Sequence, residues 1–390
     1  MTLHELKGHE RVKSKVIRAF LESKLPRVLL LYGPKGIGKQ RLALWIGQLL
    51  LCEMAEASGP CGDCRGCQMS LRLEHPDLLW YFPIKRPPSK GSRERDLEAL
   101  EEVRLEIITQ TREQPLRPSC SEDPLGLHLG TVRNLKREVA RGPGMAPQRV
   151  FLLTEAQELV SQDASPEAAN ALLKLLEDLP PNRWFVLTSS EPGRLLPTVR
   201  SRTTGLYMPT LSGVQVREFL ARHSDASETE IEKAASLSGG AIGRALGYLP
   251  SDKEPGPLER IRQEAFHLLR AALSPQPAER LARSLSYPTA GARGLHETLS
   301  SLESWLRDLA ALASSADAPV LNKDARKWLS KTVAEGSIDP VRVAECIRYV
   351  EDSRNLAAGN VNPQLIFSQL LSDLHAGLRA PTLSLADEVS

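Results

Sequence analysis

Four cysteines, Cys52, Cys61, Cys64 and Cys67, are spaced C-x8-C-x2-C-x2-C. Thiols at that density can set four thiolates around one Zn2+ at about 2.3 Å. Gly59-Pro60, Gly62-Asp63 and Gly66 supply the sharp turns this needs. Four protein ligands leave no open position, so the predicted role is structural zinc. The same thiolates could hold an iron–sulfur cluster, and scattered buried thiols are the plain alternative. A second constellation, Gly33-Pro34-Lys35-Gly36-Ile37-Gly38-Lys39-Gln40, fits G-x-x-x-x-G-K. Its glycines let backbone N–H groups face phosphate oxygens, and Lys39 is spaced to reach the β- and γ-phosphates. The next position should carry a Ser or Thr hydroxyl for magnesium; here it is Gln40. The other magnesium holder in such sites is an aspartate ending a later strand. The matching run, 149–153, ends in Thr154-Glu155-Ala156, with threonine in that place. Glu155 keeps the position of a water-activating carboxylate, but as a degenerate one, because the metal it would act beside has lost both its holders. The loop therefore allows ATP to bind and predicts little hydrolysis.

These residues need a sheet to position them. Residues 28–32 form a short apolar run before the loop, and a helix pattern at 41–51 follows it. Further apolar runs fall at 78–82, 150–153, 184–187 and 206–208, and an amphipathic helix is expected at 11–23. Ser165-Pro166-Glu167 reads as a helix start, with Leu172, Leu175, Leu176 and Leu179 on one stripe and Pro180-Pro181 as the stop. Strands alternating with helices predict a parallel α/β sheet covered on both faces. From Leu211 onward only helical patterns remain. The expected organisation is an α/β nucleotide-binding-like domain over 1–210, with the cysteine module at 52–67 and an insertion at 83–130. A helical lid at 211–250 and a helical domain at 251–390 follow, the last residues forming a polar tail. The insertion opens with Lys85, Arg86, Lys90, Arg93 and Arg95 among prolines and glycines, then a charged helix candidate at 96–112. It reads as a solvated, partly disordered segment; the sharper alternative, a DNA-contacting arm, rests on charge alone.

Composition narrows the class. Among 390 residues, 50 Lys+Arg against 48 Asp+Glu leave a net charge of +2, so no global field attracts nucleic acid. Hydrophobic residues make up 41% and charged residues 25%, as in a soluble chain with a sizeable core. No apolar run approaches the roughly 18 residues of a membrane span, and the charged start does not resemble a secretory signal. The expectation is a cytoplasmic protein, where clustered cysteines bind metal more often than they form disulfides.

Several stretches together resemble the AAA+ clamp-loader subunits of bacterial DNA polymerase III. They are Gly8-His9-Glu10-Arg11-Val12, the cysteine spacing, His75-Pro76-Asp77, Ala168-Ala169-Asn170-Ala171-Leu172-Leu173-Lys174-Leu175-Leu176-Glu177, Ser201-Arg202-Thr203, Asn355-Leu356 and 360–374. The resemblance spans almost the whole chain, and it implies a P-loop AAA+ domain with a zinc module, an all-α lid and an all-α oligomerisation domain. It implies as partners the other loader subunits (gamma/tau and delta), the sliding clamp, and primed DNA through the assembly. It also selects Arg202 over its neighbour Arg200 as a finger acting in trans on nucleotide held by an adjacent subunit. Within the family the gamma/tau type hydrolyses ATP, and the delta-prime type is a stator. Gln40, Thr154 and a glycine where the lid of a motor carries an arginine (240–246) all favour the stator type. A stand-alone zinc-containing P-loop kinase is the reading from another class. Residues 258–380 are expected to form the main assembly surface; their helix 363–374 starts from Asn362 as cap and carries Phe367, Leu370, Leu371 and Leu374 on one stripe, with core packing and assembly sharing these helices.

Overall fold

The computed structural model describes residues 3–116, 125–159, 167–251, 254–288, 292–357 and 361–379. The Ser165-Pro166 helix start, Asn360 and the polar tail lie outside them. In chain order the first part runs α1 (Glu10–Leu21), β1 (Val28–Tyr32), α2 (Lys39–Leu50), α3 (Arg65–Leu71), β2 (Leu78–Tyr81), β3 (Ile84–Lys85) and α4 (Arg93–Glu113). It continues through β4 (Leu125–Gly126), α5 (Leu129–Ala140), β5 (Arg149–Leu153), α6 (Glu167–Glu177), β6 (Arg183–Ser189), α7 (Pro197–Arg200) and β7 (Thr204–Tyr207). Nine helices complete the described chain: α8 (Gly213–His223), α9 (Glu228–Leu237), α10 (Ile242–Tyr248), α11 (Pro257–Leu273), α12 (Pro277–Leu285), α13 (Ala292–Ser314), α14 (Arg326–Gly336), α15 (Pro340–Ala357) and α16 (Pro363–Arg379). No helix among these residues is long and apolar enough to cross a membrane.

The described residues up to His223, with Gly239–Leu246, make one compact unit; Ser224–Ser238 and those from Gly247 onward make another. In the first unit five parallel strands lie in the order β2-β5-β6-β1-β7. Their side chains alternate between two cores. Leu29, Leu31, Val150, Leu152 and Val186 face the α1–α2 side. Leu30, Phe151, Leu153, Phe185 and Leu187 face α5 and α6. Continuous apolar runs are what a sheet buried on both faces requires. The expected stripe on α6 is realised, with Leu172, Leu175, Leu176 and Leu179 all buried.

The second unit packs around Leu268, Leu299, Trp305, Phe367 and Leu371. Phe367, Leu370, Leu371 and Leu374 are at most 1% exposed, so that stripe is core and presents no surface for assembly. Within the same unit, Lys233 of α9 pairs with Glu259 at 2.7 Å, and Glu259 and Asp324 both pair with Arg262. The acids neutralise a buried guanidinium that would be costly to bury unpaired.

The insertion departs from expectation. α4 is a continuous 21-residue helix capped by Ser92, and it buries Ala99, Leu100, Arg104 and Ile108. Leu100 and Ile108 join the α1–α2 core. Arg104 donates to the Trp80 carbonyl at 2.9 Å, pairs with Glu101 and lies over the Tyr81 ring. β3 and β4 pair antiparallel, Ile84 opposite Gly126 and Lys85 opposite Leu125. The segment is a packed element, since this guanidinium and two large apolar side chains anchor it to the sheet.

Candidate nucleotide loop and metal centre

The phosphate-type loop joins β1 to α2, as its glycines require. Gly33, Gly36 and Gly38 have φ of +151, +81 and +98, values open to glycine. A Cβ on Gly33 would lie 2.3 Å from the Met208 carbonyl oxygen. The loop carries Lys39 at the start of α2, but the ammonium turns back. Its Nζ donates to Gly33 O at 3.0 Å, Pro34 O at 2.9 Å and Ser190 Oγ at 2.9 Å. An ammonium has three donors; two are used on the loop's own carbonyls and the third on Ser190. Ser190 passes the interaction on, donating to Glu155 Oε2 at 2.9 Å, where Gln157 also donates at 2.6 Å. Burial lowers the Lys39 pKa, opposed by the nearby Glu155 carboxylate.

Gln40 is exposed at the first turn of α2. Thr154 is 2% exposed, and its hydroxyl accepts the Trp80 indole N–H at 3.2 Å. That oxygen therefore serves packing. Glu155 sits at φ +51, its backbone N–H donating to Thr188 Oγ1 at 3.0 Å. The Gly243 N–H at the start of α10 donates to Gly36 O at 2.8 Å, and a Cβ on Gly243 would meet that oxygen at 3.1 Å. His9 closes the other side, its Nε2 lying 2.9 Å from Ile37 O.

Sequence reasoning missed Ser190, Gln157 and the use of the Gly243 backbone. Ser190 follows the C-terminal end of β6, and parallel-sheet sites form at those ends; that position is the signal that could have found it.

Cys52, Cys61, Cys64 and Cys67 converge, as their spacing predicted. Their Sγ atoms all lie within 4.8 Å of one another. Cys52–Cys61 is 3.5 Å; Cys61–Cys67 and Cys52–Cys64 are 3.9 Å. A tetrahedron of thiolates about 2.3 Å from one ion has edges of about 3.8 Å, so a single ion fits. Backbone N–H groups of Cys61, Cys64 and Cys67 donate to the sulfurs of Cys52, Cys61 and Cys64. Such donors, from Cys64 and Asp63, bring the Cys61 thiol down to about 7, whereas burial pushes Cys52 and Cys67 up. A cation would supply the countercharge those buried sulfurs lack. Gly66 permits the turn, since a Cβ there would lie 2.2 Å from Leu51 O.

Arg202 follows α7. Its guanidinium pairs with Glu177 at 2.5 Å and donates to Thr198 O at 3.0 Å. Arg200 makes no side-chain bond among the described residues.

Upstream of β2, Asp77 accepts backbone N–H bonds from Gly144 at 2.7 Å, Met145 at 2.8 Å and Ala146 at 2.9 Å. The turn read from His75-Pro76-Asp77 thus has a further task, fixing the approach to β5.

A family model described as DNA polymerase III, delta subunit, matches residues 8–212. The DNA polymerase III subunit delta' of Pseudomonas aeruginosa is 32% identical over 213 residues, covering 54% of this chain and 52% of the relative. That of Escherichia coli (strain K12) is 29% identical over 238 residues, 61% of this chain and 59% of the relative. The Yersinia pestis protein of the same name is 26% identical over 361 residues, 91% of each chain. The chain thus spans little more than half the length of the first two relatives in the aligned parts. With the family model covering over half of it, and the nucleotide-type loop and cysteine module both inside the matched region, this chain is a clamp-loader family member and belongs to the DNA polymerase III delta-subunit family.

Proposed function

We propose that this chain is a delta-prime-like subunit of a DNA polymerase III clamp loader, a non-hydrolysing stator that helps place the sliding clamp on primed DNA in the cytoplasm. One observation carries the reading: all three Lys39 donors are spent on the loop and Ser190, while the Thr154 oxygen is held by Trp80. Neither the phosphate-binding cation nor the two magnesium holders is available for catalysis. The isolated chain is expected to release no phosphate from ATP above background, and Lys39→Ala should leave that background unchanged while lowering stability by about 1–3 kcal/mol. Turnover that disappears in Lys39→Ala would sink the stator reading in favour of a gamma/tau-type motor.

The metal held by the cysteine module is structural Zn2+, because the sulfur spacings suit one tetrahedral ion and leave no room for the wider sulfur set of an iron–sulfur cluster. The chain divides as 1–210, lid 211–250 and oligomerisation domain 251–390. Assembly with gamma/tau and delta subunits uses the last of these through the exposed Leu281 and Leu285 of α12 and Leu365 of α16, adjacent because Gln364 donates to Leu285 O at 2.8 Å.

Arg202 acts in trans on nucleotide held by a neighbouring subunit. Its partner Glu177 is no obstacle, because an exposed ion pair contributes only about 0–1 kcal/mol, while arginine fingers contribute about 10³–10⁵ in rate. Arg202→Ala is expected to fold and assemble normally and to slow ATP hydrolysis by the reconstituted loader at least tenfold. Unchanged loader turnover in this variant and in Arg200→Ala would remove the finger from this chain.

A further inference from the structure

Two exposed acids, Glu177 and Asp178, stand side by side where α6 ends. A carboxylate at a helix C-terminus meets the negative end of the helix dipole, so neither acid is placed to stabilise α6. Their surroundings differ. Glu177 Oε1 lies 2.5 Å from Arg202 Nη2, whereas the Asp178 side chain has no hydrogen bond or ion pair among the described residues. The same guanidinium is held from a second side. Its Nη1 donates to Thr198 O at 3.0 Å and to Ser201 Oγ at 3.4 Å. Ser201 Oγ donates to that same Thr198 carbonyl at 3.0 Å, and Thr203 Oγ1 donates to Arg200 O at 2.9 Å, so the turn around Arg202 is closed on itself. A guanidinium has five N–H donors. These contacts leave Nε and the second N–H of Nη2 unspent among the described residues.

We propose that Glu177 is a positioning residue for Arg202, orienting the guanidinium so that its unspent N–H groups meet the γ-phosphoryl oxygens of nucleotide on the neighbouring subunit. The proposal rests on the reading of Arg202 as a finger in trans and names what aims it. An unrestrained arginine at the surface samples many rotamers, and most of them point its fork away from any one target. Fixing the fork before the partner arrives removes that search from the reaction step. A carboxylate suits the task because it is an acceptor only: it takes one side of the planar fork and leaves the other side open. An exposed pair is also weak enough for the fork to shift as charge develops on the transferring group. Asp178, one residue further on, carries the same charge without any hold on the finger.

The test is steady-state ATP hydrolysis by the reconstituted loader, with each variant matched to wild type in melting temperature and in co-elution with the other subunits. Glu177→Ala is expected to lower kcat about fivefold, the upper end of what an exposed ion pair supplies, with KM for ATP unchanged. Glu177→Gln keeps an acceptor for the guanidinium and should recover most of the wild-type kcat, and Asp178→Ala should match wild type. In an Arg202→Ala background, Glu177→Ala should have no further effect, whereas a residue serving only the fold of α6 would lower turnover in both backgrounds. If Arg202→Ala slows the loader and Glu177→Ala does not, this proposal falls and the finger stands. If both variants are silent, the finger reading falls and takes this proposal with it. A rise in kcat on removing Glu177 would also overturn it, because the carboxylate would then be opposing the charge of the finger.

Discussion

Cys67→Ser is expected to take the purified protein from one zinc per chain to near none and to destabilise its first unit by about 4 kcal/mol. The choice of residue follows from burial: Cys67 is 0% exposed, 3.9 Å from Cys61, and its sulfur has no route to a substitute ligand. Serine preserves the shape but lacks the soft thiolate, and three remaining sulfurs close the tetrahedron poorly. The magnitude is a linkage effect. An ion that binds only the folded state, present at a thousand times its Kd, contributes about 4 kcal/mol. Elemental analysis beside thermal melts, with and without chelator, would check it. A chelator should lower the wild-type melting temperature toward that of the variant and leave the variant unmoved. Iron in the purified wild type, or full zinc in Cys67→Ser, would refute the assignment.

Asp77→Ala is expected to cost about 3–5 kcal/mol, the second large effect. The carboxylate is 1% exposed and accepts three backbone N–H bonds. Removing it leaves those donors without their acceptor, and the Arg149 guanidinium, 4.0 Å away, loses a countercharge. Each charge-assisted bond contributes about 1.5–3 kcal/mol, and the three are less than additive because they share one carboxylate. Asp77→Asn, which keeps the shape and half the acceptors, should cost less. Burial works to raise the Asp77 pKa, but the three N–H donors more than offset it and hold it below the ordinary value. The folded pKa is therefore depressed relative to the unfolded one, about 3.9. This contribution is complete above that value and is lost as pH falls through the folded pKa. Urea melts at neutral pH and below pH 4 should show the gap between wild type and Asp77→Ala narrowing at acid pH; a constant gap would contradict the assigned role.

How far the sequence could be read depended on how local each determinant is. The nucleotide-type loop, the cysteine module and the sheet strands were legible because glycine spacing, thiol spacing and apolar runs are short-range signals. The fate of Lys39 was not, because its deciding partner, Ser190, comes from β6, far along the chain. The purpose of Asp77 was hidden for the same reason, its partners lying near β5. α4 misled in another way. Leu105 is 51% exposed while its neighbour Arg104 is 9% exposed, so an apolar residue faces out and a charged one faces in. That inversion blurs the stripe from which a buried face is recognised. On α16 the stripe was clear, but periodicity cannot tell a face buried within its own chain from one buried by a partner.

The Arg104 anchor has a consequence for hydrogen exchange. Opening the middle of α4 means drawing a guanidinium away from the Trp80 carbonyl and the Tyr81 ring, and stripping Leu100 and Ile108 from the sheet core. Local fluctuation supplies little of that free energy, whereas cooperative unfolding of the sheet supplies all of it. The amides around Arg104 therefore belong to the same protected unit as β2. Those near Glu113, held by fewer buried groups, exchange by fraying, so one continuous helix contains both the slow and the fast class.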